Sequence, residues 1–197
     1  MSRRKPIQRR AEERRRSLLD AATRLLERDG YEAVTTNAIA TEAGAAVGTV
    51  YDYFPNKEAL LAALLARYQE RLQAHLLASL GEGAADRDAL VERGVRAFAS
   101  FYRQEPGYAA LWLGSQLVTP LREAGERWGA DFGDLLGPLV ASQTGLDAEA
   151  ATRVARVLAH AVSAVVTLAL QVADGPAIED EAVRLARAYL REVSAPS

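Results

Sequence analysis

Cysteine is absent from the 197 residues of the sequence. Disulfide bonds, thiolate nucleophiles and cysteine-ligated zinc are therefore excluded. Histidine is nearly absent too, since the chain has only His75 and His160, and neither lies in a Glu-x-x-His spacing. We therefore expect no metal site and no cofactor, and a structural role for each histidine.

Long hydrophobic runs are missing as well. The least polar stretch, residues 159–173, is interrupted by His160, Ser163, Thr167 and Gln171. It is too short and too polar for a membrane span, and we interpret it as a buried or interface helix. The first residues are rich in arginine and lack the apolar core of a signal peptide. We expect a soluble cytoplasmic protein that has no contact with a membrane.

No overall excess of positive charge marks the chain as a nucleic-acid binder, because its formal net charge is −2. The charges are nevertheless unevenly distributed. Residues 1–16 hold eight Lys/Arg and two Glu, which gives +6. Residues 1–80 hold thirteen basic and ten acidic groups, or +3, which leaves −5 for residues 81–197. A basic N-terminal part and an acidic remainder predict an electrostatic footprint confined to one end.

Helical periodicity runs along the chain, and no strand-like alternation interrupts it. The pattern predicts an all-α fold of about nine helices, with a first helix over residues 10–29. The clearest linker is the glycine-rich stretch at residues 81–85. Pro138 lies inside the helix predicted from about residue 119 to 143, and we expect it to kink that helix or end it early.

Residues 35–57 carry the most specific pattern in the sequence. Thr35 or Thr36 can cap a short helix, and Gly44 suits the left-handed residue that ends it. A second short helix follows over residues 47–54. This is the spacing of a helix-turn-helix, whose second helix can lie in a DNA major groove.

The run GAAVGTVYDYFPNKEALL, preceded by TTNAIATEA, strongly resembles the N-terminal DNA-binding domain of tetracycline-repressor-like (TetR family) transcription regulators. The resemblance covers residues 15–65, about a quarter of the chain. It implies a DNA-binding regulator, most consistent with a homodimeric repressor that binds a palindromic operator and is released by a small-molecule effector. It also implies three parts: a disordered basic arm at 1–9, a helix-turn-helix domain at 10–56, and a C-terminal helical ligand-binding and dimerisation domain at 57–197.

The resemblance further implies roles for single residues at the DNA. Asn37 would meet a base edge, where its amide can pair bidentately with adenine, and Tyr53 and Lys57 would hold phosphates. Ala46 stands where the family often has a Ser or Thr cap, and a missing cap costs about 1 kcal/mol. The full set of implied DNA contacts is Thr35, Thr36, Asn37, Val47, Gly48, Thr49, Tyr51, Tyr53 and Lys57.

Aromatic side chains are concentrated between residues 98 and 132, where they can line a cavity for a largely apolar effector. Packing of a core would place most of them in the same way, so both interpretations stay open. Tyr102 and Gln116 stand out because a buried polar group must be paired. The candidate pocket residues are Phe98, Tyr102, Tyr108, Leu111, Trp112, Gln116, Trp128 and Phe132.

The last two long helices are more apolar around their circumference than one core face requires. We therefore predict that they form a four-helix interface between two copies of the chain. The candidate interface residues are Leu158, Val162, Val165, Val166, Leu185 and Tyr189.

Two other functions stay open at this point. In the first, the chain is a helical-bundle enzyme or carrier and residues 35–57 are only structural, although no nucleophile–base pair, metal-ligand spacing or glycine-rich phosphate loop supports it. In the second, the protein binds DNA without sequence preference, as an architectural protein. For Arg3, Arg4 and Lys5, a solubilising tail and an arm on the minor groove or phosphates are equally open.

Overall fold

The computed structural model describes residues 4–81, 86–116 and 118–194, apart from the side chains at positions 4–7, 126, 128 and 130. Over these residues the chain forms nine α-helices and no strand, which confirms the predicted all-α class. The helices are α1 Arg4–Asp29, α2 Thr36–Glu42, α3 Val47–Tyr53, α4 Lys57–Gly81, α5 Arg87–Gln104, α6 Tyr108–Ser115, α7 Thr119–Thr144, α8 Ala148–Ala169 and α9 Gly175–Val193.

Side-chain caps fix where several helices begin. Thr35 accepts a hydrogen bond from the backbone N–H of the residue three positions later, at 3.1 Å. Asn56, Asp86 and Asp147 do the same for α4, α5 and α8, each at 2.8 Å. Each cap satisfies one backbone donor that the first helical turn leaves unpaired. Ala46 supplies no such bond to α3, as its side chain predicts.

The start of α1 differs from the prediction. The helix begins at Arg4, within the stretch 1–9 that was predicted to be a disordered arm. Pro6 does not prevent this, because proline is accommodated in the first turn, where its missing N–H would have no partner anyway. Residues 1–3, and with them part of the predicted arm, lie outside the described residues.

Two further helix ends differ from the prediction. α7 continues through Pro138 to Thr144, so this proline does not end the helix early. Leu121, Phe132 and Val140 are buried along α7, and this burial offsets the hydrogen bond that Pro138 cannot donate. The eighth helix stops at Ala169, four residues before the predicted end.

The chain divides into two compact units. The first unit comprises the described residues up to Tyr68 together with Glu105–Ala124, and the second comprises Gln69–Gln104 and the residues from Gly125 onward. The predicted boundary after residue 56 falls inside the first unit, which also takes in α6. Most of the predicted linker, at 82–85, lies outside the described residues.

The core of the first unit contains a buried tyrosine with two polar partners. The Tyr68 hydroxyl donates to the carbonyl of Pro106 at 2.6 Å and lies 3.2 Å from the Thr23 hydroxyl. The next residue, Gly107, has φ +71°, and a Cβ there would come within 2.9 Å of the carbonyl oxygen of Thr23. A glycine is therefore required where the loop before α6 approaches α1.

In the second unit, α7 and α8 pack closely because glycine recurs every four residues on α7. A Cβ at Gly129 would lie 3.0 Å from the His160 ring, and a Cβ at Gly137 would lie 2.6 Å from the Thr152 hydroxyl. Between them, a Cβ at Gly133 would overlap the side chain of α8 that lies opposite. The missing side chains thus set the distance between the two helices.

Candidate DNA interface

The turn between α2 and α3 holds the two helices in a fixed orientation. Gly44 adopts φ +60°, the left-handed conformation that glycine reaches without steric cost, as predicted. Ile39 on α2, Val50 on α3 and Phe54 after it are all buried. Because these three side chains anchor the helices inward, the opposite side of α3 faces solvent.

The outward side of α3 carries the predicted DNA contacts. Gly48 and Tyr51 are exposed, and Val47, Thr49 and Tyr53 are half-buried. The Tyr51 side chain is 53% exposed, which is unusual for a large aromatic residue on a seven-residue helix. This face is available to a partner outside the chain.

A hydrogen bond joins two of the predicted DNA contacts across the helix-turn-helix. The Tyr51 hydroxyl lies 3.3 Å from the Thr36 hydroxyl on the first turn of α2. This pair limits the rotamers of Tyr51 before any DNA arrives. Asn37 follows on α2 and is exposed, whereas the Thr35 hydroxyl is already an acceptor in the cap of that helix.

Lys57 has partners that its sequence position did not predict. Its ammonium lies 3.5 Å from the carbonyl oxygen of Tyr31 and 4.6 Å from the centre of the Tyr31 ring. Burial raises the pKa of Tyr31, and the nearby carboxylates Glu58 and Glu32 raise it further. No local pattern links two residues that lie this far apart in the chain, so the sequence analysis missed Tyr31. An ammonium with three donors can serve Tyr31 and a phosphate together.

An ion cluster ties the end of α2 to α1. The guanidinium of Arg24 donates to the Glu42 carboxylate at 2.6 Å and to the Glu42 carbonyl at 3.3 Å, and Arg28 donates to the same carboxylate at 3.2 Å. Hydrogen bonds from Arg24 and then Arg28 lower the pKa of Glu42. The pairs are solvent-exposed, so they contribute orientation more than stability.

A cleft of about 590 Å³ separates the N-terminal half of α1 from α3. The residues that line it are Arg10, Ala11, Glu13, Arg14, Ser17, Thr49, Asp52 and Tyr53. The family resemblance implies DNA contacts for Thr49 and Tyr53 but none for the arginines across the cleft.

The candidate pocket residues fall into both compact units. In the first unit, Tyr108 and Leu111 are buried and Trp112 is half-buried. The Tyr108 ring packs edge-on against Tyr68, with 5.2 Å between the ring centres. Gln116 was selected as a candidate because a buried polar side chain was expected there. It is exposed instead, and it donates to the carbonyl of Trp112 at 3.4 Å.

In the second unit, Phe98, Tyr102 and Phe132 are buried. The rings of Phe98 and Tyr102 are 4.9 Å apart, and the Tyr102 hydroxyl lies 3.5 Å from the Ser163 hydroxyl. The side chain of Trp128 lies outside the described part of the structure. These contacts are those of a packed core, and whether any of these residues touches an effector stays a prediction.

The interface candidates on α8 and α9 do not share one face. Val166 is fully buried, so its selection for the interface is wrong: it packs inside its own chain. Leu158, Val162 and Val165 are half-buried against a core that includes Val95. The periodicity of α8 alone could not show which of its apolar sides the chain itself covers.

The exposed apolar side chains of these helices include one predicted interface residue, Leu185, and two that were not predicted. Val157 and Leu168 on α8 are 51% and 48% exposed, and Leu185 on α9 is 42% exposed. Tyr189 is half-buried against the core of its own chain. By length and composition alone α8 is long and apolar enough to cross a membrane, and 22% of its apolar window is buried; a single helix of this kind is weak evidence for a membrane span. Length and apolar composition do not distinguish a membrane from a partner helix.

Two family models match the chain. Residues 18–64 match bacterial regulatory proteins of the tetR family, and residues 85–193, more than half of the chain, match the tetracyclin repressor-like C-terminal domain. A TetR-family transcriptional regulator from Streptomyces coelicolor has the same fold, with a TM-score of 0.72 and 28% identity over 91% of this chain and 99% of that one.

Curated relatives match over part of the chain. The HTH-type transcriptional repressor KstR of Rhodococcus jostii is 52% identical over 60 residues, which is 30% of this chain and 28% of that protein. The nucleoid occlusion factor SlmA of Pasteurella multocida is 30% identical over 118 residues, 58% of this chain and 57% of that protein. The chain thus aligns with less than two thirds of the length of either relative.

The matched family consists of transcription regulators and not of enzymes, which removes the helical-bundle enzyme from consideration. The resemblance found in residues 35–57 is confirmed, and the second family model extends it to the C-terminal bundle. The chain belongs to the tetR family of bacterial regulatory proteins and is a DNA-binding transcriptional regulator.

Proposed function

We propose that the protein is a cytoplasmic homodimeric repressor that binds a palindromic operator through α2 and α3 and leaves it when a small-molecule effector binds. The outward face of α3 carries this proposal. Val50 is fully buried while the neighbouring Tyr51 is 53% exposed and tied to Thr36. A helix held rigidly on one side and open on the other suits insertion into a major groove.

In this proposal, few side chains contact the DNA bases. α3 has no arginine or lysine, so base contacts fall to Asn37 on α2 and to Tyr51, with Val47 against a thymine methyl. Lys57 and Tyr53 hold phosphates, which fixes the register of the helices on the duplex. Lys57 is aided by the positive N-terminal end of α4.

Dimerisation uses the exposed apolar face of α8 and α9. Val157, Leu168 and Leu185 are too large and too exposed to be left in water without cost, and a copy of the same face would cover them. Two copies then present two α3 helices to half-sites about 34–36 Å apart. Repression, and not activation, is supported by the relative named as a transcriptional repressor.

The effector is proposed to bind in the C-terminal helices and to be largely apolar, because aromatic and aliphatic residues dominate there. Its effect is passed along α4, which contributes residues to both compact units. Release of DNA requires that the effector bind one conformer more tightly than the other.

The test is a selection of duplexes from a random pool by the full chain, followed by footprinting and gel-shift titration. We expect a palindromic site bound far more tightly than a scrambled duplex at the same salt concentration. Absence of sequence preference at moderate salt would contradict the proposal and favour an architectural DNA binder.

Sedimentation tests the dimer separately. The double variant V157E/L168E should be monomeric, and L77E, which changes a 43% exposed leucine on α4, should remain a dimer. A dimer that survives V157E/L168E places the interface elsewhere.

A further inference from the structure

The helical start of α1 changes how its basic residues can meet DNA. An α-helix with its side chains is about 10–12 Å across, whereas the minor groove of B-DNA is about 6 Å wide. A helix that begins at Arg4 therefore does not enter that groove as an extended arm would. Its arginines are left with the phosphates at the edge of the grooves.

Two arginines of α1 lie next to α3. Arg10 and Arg14 are one turn apart, about 40° around the helix axis. Both side chains are exposed, and both line the cleft whose opposite side holds Thr49 and Tyr53. They thus approach α3 on the side that carries the predicted phosphate contact Tyr53.

The neighbouring arginines are engaged or face away. Arg9 pairs with Glu13 at 3.4 Å, and the Arg15 guanidinium lies 5.4 Å from the centre of the Phe54 ring. Arg16 is exposed but lies about 200–240° around α1 from the two cleft arginines. Arg16 therefore provides a control with the same charge on the opposite side of the helix.

The cleft also contains acidic side chains. Glu13 is matched by Arg9, which leaves Arg10 and Arg14 against Asp52 alone. Counted with Arg9, three positive charges stand against two negative charges, which leaves the cleft attractive to an anion. Asp52 weakens that attraction without cancelling it.

We infer that Arg10 and Arg14 together hold a DNA backbone phosphate beside α3, on the Tyr53 side. The inference rests on the proposed function, because it requires α3 to lie on DNA. A phosphate bound there adds affinity without regard to base sequence and positions α3 in its groove. The basic segment thus acts as a helical clamp on the backbone and not as a reader of the minor groove.

The experiment measures the dissociation constant of the full chain against KCl concentration. The probes are the duplex that the wild type selects and a mixed-sequence duplex of the same length. The double variant R10Q/R14Q should flatten the slope of log K against log salt by about 0.9 per chain, for the one phosphate contact that each chain loses, on both probes. R16Q should keep the wild-type slope, and D52N should tighten binding to the mixed-sequence duplex.

A second probe separates the backbone from the minor groove. Replacing guanine with inosine removes an amino group from the minor groove and leaves the major-groove edge unchanged. The fold-loss caused by R10Q/R14Q should be the same on the guanine and inosine duplexes, and a loss that depends on this replacement would overturn the inference.

The outcomes distinguish this inference from the proposed function. If the wild type binds its selected duplex and R10Q/R14Q shows the same salt slope as R16Q, the phosphate clamp is wrong while the repressor proposal stands. If the wild type selects no duplex, both are wrong.

Discussion

The absence of a side chain at glycine has opposite structural effects in the helix-turn-helix and in the α7–α8 pair. At Gly48 on α3, no described atom beyond the adjacent residues and the nearby backbone of its own helix lies within 4 Å of the point where a Cβ would stand. At Gly133 on α7, a Cβ would overlap the Arg156 side chain and lie 3.0 Å from the Arg156 Cα. The first glycine keeps an outer face open for a partner, and the second brings two helices of the same chain together.

The two regions also differ in how far their function can be predicted from sequence. In the helix-turn-helix, adjacent residues of different type face opposite sides: Val50 is buried and Tyr51 is exposed. In the C-terminal helices, one apolar composition serves both the core and the exposed face, as Val166 and Val157 show. Local pattern therefore reports function in the first region and mainly packing in the second.

The largest expected difference in stability is between two variants that each replace one of these glycines with alanine. G133A should lower the free energy of unfolding by about 1–3 kcal/mol, because α7 and α8 must move apart to admit the Cβ. G48A should be neutral or stabilising by up to about 1 kcal/mol, since it replaces a helical glycine in open space. Urea denaturation of both variants measures the difference, and equal effects would refute the contrast.

Removing a hydroxyl from a buried or an exposed tyrosine tests the same contrast in polar groups. Y68F should cost about 0.5–1.5 kcal/mol, because the hydrogen bond from the buried Tyr68 to the carbonyl of Pro106 is lost. Y51F should leave the free energy of unfolding within about 0.5 kcal/mol of wild type while it weakens binding to the selected duplex. A thermal melt and a gel-shift titration of each variant separate stability from DNA binding.

The caps of α2 and α3 should respond with opposite signs. T35A removes the bond to the backbone N–H of Ala38 and should destabilise by about 1 kcal/mol. A46S gives α3 a cap that it lacks and should stabilise by a similar amount. Urea midpoints that move in the same direction for both variants would contradict this assignment of the caps.

The smallest effect concerns pH. The pKa of Glu42 is lowered in the folded state, so its contribution to stability is present above the pKa of the unfolded chain and is lost as pH falls through the folded value. The difference in stability between wild type and E42Q should therefore be small at pH 7 and shrink further under acid. A difference that grows as pH falls would show that Arg24 and Arg28 do not act on this carboxylate.

Much of the N-terminal site was predictable because its signals are local. Thr35 caps α2 and Gly44 is left-handed, as the spacing predicts. The partners of Lys57 were not predictable, because its contact with Tyr31 depends on how separate helices pack.

The error at Val166 has a related cause. The sequence shows that α8 is apolar on several sides, but burial of Val166 and exposure of Val157 depend on where its neighbours lie. The arginines of α1 were likewise visible as a basic cluster, while their division between the cleft and the opposite side depends on which side of α1 lies next to α3.

The most direct test of the central claim is the ratio of dissociation constants for scrambled and selected duplexes, measured for wild type and for N37A/Y51A. If the outward face of α2 and α3 reads the bases, the double variant should lose most of that ratio, since each good base contact is worth about 1–3 kcal/mol of discrimination. Its thermal melt should stay close to that of wild type, because both side chains are exposed. A ratio unchanged in N37A/Y51A would contradict the claim and place sequence reading elsewhere in the chain.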